Sequence, residues 1–170
     1  LTVDMSETIA PIQPTMYGIF FEDINFAADG GLYAEMIKNR SFEFTIPMMG
    51  WSQPNSDRHS YNNESGFAMP VKYFEGEGNL NFLRVQVKNA EGYELHNEGF
   101  RGMGIKEGDT YRFTFDAKQM EGAVSAVKAE LLDEEGNTIA EASIPVSGSE
   151  WANYKAEIVP NKTVMKGSLK

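Results

Sequence analysis

An apolar run at residues 16–21, MYGIFF, ends in the acidic pair Glu22–Asp23. A second group of acids, Glu130, Asp133, Glu134 and Glu135, crowds the turn in ELLDEEGNTIAEAS. A carboxylate can serve as acid, base, nucleophile or hydrogen-bond acceptor, and its surroundings decide which. Glu22 follows a continuous apolar stretch, and in α/β barrels the substrate-contacting residues sit at the carboxyl ends of such strands. A solvated acid at the start of a loop fits that position as well, so position alone leaves both readings open. The acids around the Gly136–Asn137 turn read as the solvated surface of a hairpin, and no catalysis is assigned to them. The chain has no cysteine, which excludes thiol catalysis and thiolate metal sites. His59 and His96 are isolated from each other, and no metal site is assigned.

The elements that position these residues come in two styles. MYGIFF is apolar without interruption, as strands are when both faces are covered. FAADGG then reads as a loop, and Leu32, Tyr33, Met36 and Ile37 form one stripe of a short helix ending near Asn39. Strand, loop and helix make the first unit of an α/β fold. A parallel strand needs parallel neighbours and no second such unit follows, so this unit is expected to be a piece of something larger. From Leu80 onward the pattern alternates instead. In YRFTFDAK, residues 111–118, Tyr111, Phe113, Phe115 and Ala117 share one face, and Arg112, Thr114, Asp116 and Lys118 share the other. LNFLRVQVK (80–88), AVSAVKAELLD (123–133), TIAEASIPV (138–146) and NYKAEIV (153–159) behave alike, separated by the turn signals KEGD, DEEGN and SGSE. Several such strands with short polar turns read as an antiparallel sandwich.

Composition narrows the partners. The chain of 170 residues carries 25 acidic and 15 basic side chains, a net charge of −10. That field repels phosphate backbones and anionic lipid surfaces and leaves neutral ligands such as sugars unaffected, so neither nucleic acid nor membrane is expected as a partner. No apolar stretch approaches the length of a membrane span. The first residue is Leu1 rather than Met, which fits a trimmed leader and an exported, periplasmic or extracellular protein.

The stretch YGIFFEDINFAADGGLYAEMIKNRSFEF, within residues 16–44, closely resembles the N-terminal signature of the α-L-arabinofuranosidases, retaining glycoside hydrolases that pair a (β/α)8 barrel with a β-sandwich. The resemblance implies that Glu22 is the glutamate that hydrogen-bonds arabinofuranose hydroxyls in the −1 subsite. A carboxylate suits that task because it accepts from two vicinal hydroxyls at once. LHNEGFRGMGIKEGDTYRFTFDAK with SEWANYKAEIV is similar to the jelly-roll carbohydrate-binding modules that interrupt some members. The fold implied is mainly β: an antiparallel jelly-roll β-sandwich preceded by a strand-loop-helix unit from an incomplete (β/α)8 barrel. Residues 1–44 would be the N-terminal segment with the first barrel unit, and residues 45–170 the jelly-roll module, with VMKGSLK leading back toward the barrel.

A retaining glycosidase needs two carboxylates roughly 5 Å apart. In this family both come from later barrel strands, so they are expected beyond Lys170. The implied parent protein is an exo-acting α-L-arabinofuranosidase that removes terminal arabinofuranose from plant polysaccharides. The partners implied are an arabinose-containing poly- or oligosaccharide and the remainder of the barrel. A stand-alone, non-catalytic carbohydrate-binding module is the alternative, and a purely structural insert is a third reading. In a sugar-binding module, exposed rings stack on sugar faces. Trp151, Phe100, Phe113 and Phe115 are expected in the core. Trp51 and Tyr61 sit in the polar, turn-rich MMGWSQPNSDRHSYNNESG and are the candidate carbohydrate-binding rings. A structural calcium in the sandwich is the one cofactor the loop carboxylates and carbonyls leave room for.

Overall fold

The computed structural model describes residues 6, 10–18, 22, 28, 31–53, 65–73, 79–122 and 124–170. Among them the chain is mainly β, with ten strands and no α-helix. The strands are β1 (Trp51–Ser52), β2 (Gly66–Lys72), β3 (Asn81–Val87), β4 (His96–Asn97), β5 (Met103–Ile105), β6 (Tyr111–Ala117), β7 (Ala126–Leu132), β8 (Thr138–Pro145), β9 (Ala152–Ile158) and β10 (Val164–Leu169). All named pairings are antiparallel.

The largest sheet runs β1-β4-β10-β7-β8, with β5 also paired to β10. Its apolar residues Met103, Ile105, Leu131, Ile144 and Leu169 are buried together. The β6–β9 ribbon covers this sheet. Alternation in YRFTFDA turns Tyr111, Phe113 and Phe115 inward, and Tyr154 and Ala156 of β9 join them against the same core. Phe115 stacks on Tyr154 with ring centroids 5.3 Å apart. The hairpin β2–β3 forms a third, two-stranded piece with unbroken register from Gly66↔Val87 to Lys72↔Asn81. Gln53 ties it to the end of β1, its side chain accepting from Ala68 N and donating to Ala68 O.

Three expectations change. The VMKGSLK segment does not lead away from the sheet. As β10 it lies in the middle of the six strands, between β4 and β7. A register shift between Val164 and Gly167 lets one strand serve both β5 and β7. Gly167 is required there, because a Cβ would lie 2.7 Å from Leu132 O and 2.6 Å from Ile105 Cδ1.

The stripe of Leu32, Tyr33, Met36 and Ile37 forms no helix. Leu32 and Tyr33 are exposed, while Met36 and Ile37 pack on the edge of the core. An isolated short helix is marginal without a surface for its whole apolar face, and here only two of the four residues have one. Asn39 and Phe42 adopt positive φ of 54° and 57°, so the chain turns where a helix would continue.

At the front, Met16 closes a 3-10 turn, Pro14–Met16, rather than opening a strand. Pro14 supplies the fixed φ that starts such a turn. Tyr17 and Gly18 are exposed, and residues 19–21 of the expected strand lie outside the described residues.

Candidate functional site

Glu22 is exposed and in no regular element. The loop residues 23–27 that the resemblance places beside it lie outside the described residues, as do Tyr61 and His59.

The second half of the signature, NRSFEF, is built around a buried asparagine. Asn39 Nδ2 donates to Pro47 O at 2.8 Å, and its Oδ1 accepts from Phe44 N at 3.2 Å. Its carbonyl accepts from Trp51 Nε1 at 3.1 Å. Trp51 is half-buried, with its ring 5.6 Å from that of Phe42. A second asparagine, Asn97, is fully buried at the β4–β10 pairing. It donates to Lys38 O and accepts from Lys38 N and Gly99 N, at 2.9, 3.1 and 3.0 Å. The two amides fasten residues 36–51 to the sandwich with every polar atom partnered.

Between this turn and the β2–β3 hairpin lies an open groove of about 390 Å3, lined by Phe42, Glu43, Phe44, Pro47, Val71 and Lys72 among others. Among the described residues its lining has a single carboxylate, Glu43, and hydrolysis by a carboxylate pair needs two.

Of the four acids of the β7–β8 hairpin, Glu134 and Glu135 are exposed, as the sequence led us to expect, and the other two are not. Glu130 and Asp133 are both buried. Asp133 Oδ2 meets Lys162 Nζ at 2.8 Å, while Oδ1 accepts from Asn137 N at 2.8 Å and from Glu135 N at 3.1 Å. The hydrogen bond from Lys162 holds its carboxyl well below the usual carboxylate range; burial opposes this, and Asn137 assists it. Glu130 accepts from Lys170 at 2.8 Å, from Lys128 at 3.1 Å and from Thr138 Oγ1 at 3.0 Å. Burial works against its ionisation, but these donors outweigh it and lower its pKa. A carboxylate locked in its charged form between lysines can neither give nor take a proton near neutral pH. These two acids are structural. Glu130 lies in β7, which has paired strands on both edges, and Asp133 directly follows that strand.

A different surface collects rings. Tyr73 packs on Phe82 at 5.0 Å, and Phe82 meets Trp151 edge-on at 5.8 Å. Lys118 Nζ stands 5.3 Å from the Trp151 ring centroid. Trp151 was expected in the core but is 50% exposed, and Tyr73 is 48% exposed. The signal for this was available in the sequence. Counting back from the outward Lys155 and Asn153 by twos puts Trp151 on the outer side. Phe113 and Phe115 do pack against the core, as expected.

Among the described residues, no group of three or more His, Asp or Glu side chains is placed to hold a metal ion, and no helix is long and apolar enough to cross a membrane.

No protein-family model matches the chain. An extracellular exo-α-L-arabinofuranosidase of Streptomyces chartreusis is 33% identical over 177 aligned positions, covering 99% of this chain and 20% of that protein. α-L-Arabinofuranosidase 2 of Arabidopsis thaliana is 37% identical over 122 positions, covering 66% of this chain and 18% of that protein. Among solved structures, an arabinose-bound α-L-arabinofuranosidase superimposes with a TM-score of 0.72 and 22% identity, over 90% of this chain and 25% of that one. At that identity the likeness speaks to fold alone. In sequence and in fold, this chain is a relative of one segment, about a fifth, of the α-L-arabinofuranosidases.

Proposed function

We propose that the chain works as part of an exo-acting, retaining α-L-arabinofuranosidase that removes terminal arabinofuranose from arabinose-containing plant polysaccharides. The observation that carries this reading is the 33% identity spread over 99% of the chain. In this reading residues 1–44 contribute the first strand of a (β/α)8 barrel, with Glu22 at its carboxyl end accepting hydrogen bonds from sugar hydroxyls. The β-rich remainder is a jelly-roll accessory module that binds glycan or braces the barrel. The nucleophile and the acid/base belong to parts of the enzyme other than these 170 residues. The buried state of Glu130 and Asp133 supports that division, because both are neutralised by lysines. Export from the cell fits the extracellular relative.

The test compares the 170-residue chain with the protein encoded by the whole reading frame, using an aryl α-L-arabinofuranoside. The longer protein is expected to hydrolyse it with retention of configuration, and the short chain to remain at buffer background. Hydrolysis by the short chain, abolished by one carboxylate substitution, would overturn the division of labour. An inactive longer protein would overturn the enzyme reading and leave a non-catalytic binding module.

A further inference from the structure

We infer that the outer face of the β6–β9 ribbon, at the end marked by Trp151 and Tyr73, is a binding site for a neutral saccharide. This site rests on the accessory role proposed above and gives it a location.

Three observations meet there. First, strand pairing sets Asp116 opposite Asn153, Thr114 opposite Lys155 and Arg112 opposite Glu157. All six are exposed, so the face away from the core is a continuous polar row. Second, that row ends at Ala117↔Ala152, and the next residue on each strand is Lys118 or Trp151. By alternation both fall on the outer side, and the ammonium of Lys118 lies over the indole. Third, Phe82 joins Trp151 to Tyr73, so two half-exposed rings flank one end of the polar row. Soluble proteins seldom leave large rings grouped in water without a use.

The occupant follows from this chemistry. A sugar ring has an apolar face of C–H bonds and a rim of hydroxyls. The face suits Trp151 and Tyr73. The rim suits Asp116, whose Oδ1 already accepts from Asn153 Nδ2 at 2.9 Å, together with that amide and the Lys118 ammonium. Arg112, Lys118 and Lys155 nearly cancel Asp116 and Glu157, so the face has no strong charge, and the chain as a whole carries −10. A polyanion is disfavoured, and a neutral arabinan or arabinoxylan is preferred.

The 170-residue chain should be retarded in native gels containing soluble arabinan or arabinoxylan, and not in gels containing polygalacturonate. Trp151→Ala and Tyr73→Ala should each weaken retardation about fivefold, as expected for loss of one stacking ring. Trp151→Phe should keep most of it. Since Trp151→Ala could also loosen the hairpin, a spectroscopic readout guards the result. Arabino-oligosaccharide should shift tryptophan fluorescence in the wild type and in Trp51→Phe, and should leave Trp151→Phe unshifted. Several outcomes would overturn the site: undiminished retardation in Trp151→Ala, a fluorescence shift that survives Trp151→Phe, or no retardation by any neutral glycan. Self-association removed by Trp151→Ala, without glycan binding, would overturn it in favour of a protein contact. None of these results depends on hydrolysis, which tests the enzyme reading separately.

Discussion

Lys162 Nζ lies 2.8 Å from Asp133 Oδ2, and the carboxylate it meets is only 3% exposed. The contact joins the turn after β7 to the chain entering β10. Two segments that must register correctly for the central sheet are thereby pinned by one charge pair, its carboxylate buried and its lysine half-exposed.

The pair has a pH signature. Asp133 ionises far more readily folded than unfolded, chiefly because of the hydrogen bond from Lys162. A carboxyl with a depressed folded pKa contributes stability that is fully present above its unfolded pKa. That contribution declines as pH falls below about 4, and is gone once the folded carboxyl is protonated. Glu130, lowered in the same direction, adds to the slope. The melting midpoint should therefore fall steeply on acidification below the ordinary carboxylate range. Asp133→Asn should lower the midpoint at neutral pH and flatten that acid slope. An unchanged slope in the variant would place the acid sensitivity elsewhere.

Asn97 offers a second test. It is wholly buried and satisfies Lys38 N, Lys38 O and Gly99 N. Asn97→Ala removes the partner of the buried Gly99 N, where an unpaired group costs about 1–3 kcal/mol, and of the half-buried Lys38 N and O, where water recovers part of the loss. A loss of about 2–4 kcal/mol is expected in urea unfolding, along with faster hydrogen exchange at Lys38 and Gly99. A loss well under 1 kcal/mol would mean that water replaces the amide.

Gly167 is the tightest point of the core sheet. The Cβ of Gly167→Ala would meet a backbone oxygen, Leu132 O, which cannot rotate away. Overpacking of this kind costs about 1–3 kcal/mol. Gly104→Ala, where a Cβ meets nothing within 4 Å, is the matched control and should be much milder. Equal effects of the two substitutions would refute the steric account.

How much of this was legible varied with the physics of each element. Strands β6, β8 and β9 declared themselves because one-sided burial writes period-two alternation, and the β7–β8 hairpin did so through the Gly and Asn of its turn. Strand β10 did not: its burial, with Val164, Gly167 and Leu169 inside, follows a register shift and not a simple alternation. Strand β2 was hidden by Pro70, which is tolerated because β2 sits at the edge of a two-stranded pair. Glu130 and Asp133 looked like hairpin surface because the lysines that neutralise them, Lys170 and Lys162, stand far along the chain. The asparagines 39 and 97 gave no local sign of burial, since their partners are main-chain groups brought together only by the fold. Trp151 was readable by strand parity, but its sequence position beside a core-facing strand argued the other way.

The role proposed for Glu22 rests on the resemblance of residues 16–44 to the arabinofuranosidase signature. In the complete enzyme, Glu22→Gln should reduce kcat/KM for arabinofuranosides roughly a hundredfold or more. A charged acceptor of sugar hydroxyls contributes a few kcal/mol that grow as positive charge develops on the sugar. Folding should be nearly untouched, because Glu22 is exposed here, and an isosteric amide there opens no cavity and strands no buried charge. The diagnostic pattern is thus a large loss of kcat/KM with an unchanged melting midpoint. Wild-type kcat/KM in a purified variant of normal stability would make Glu22 an ordinary surface acid. A loss of activity accompanied by a lowered midpoint would instead assign it to holding the barrel together.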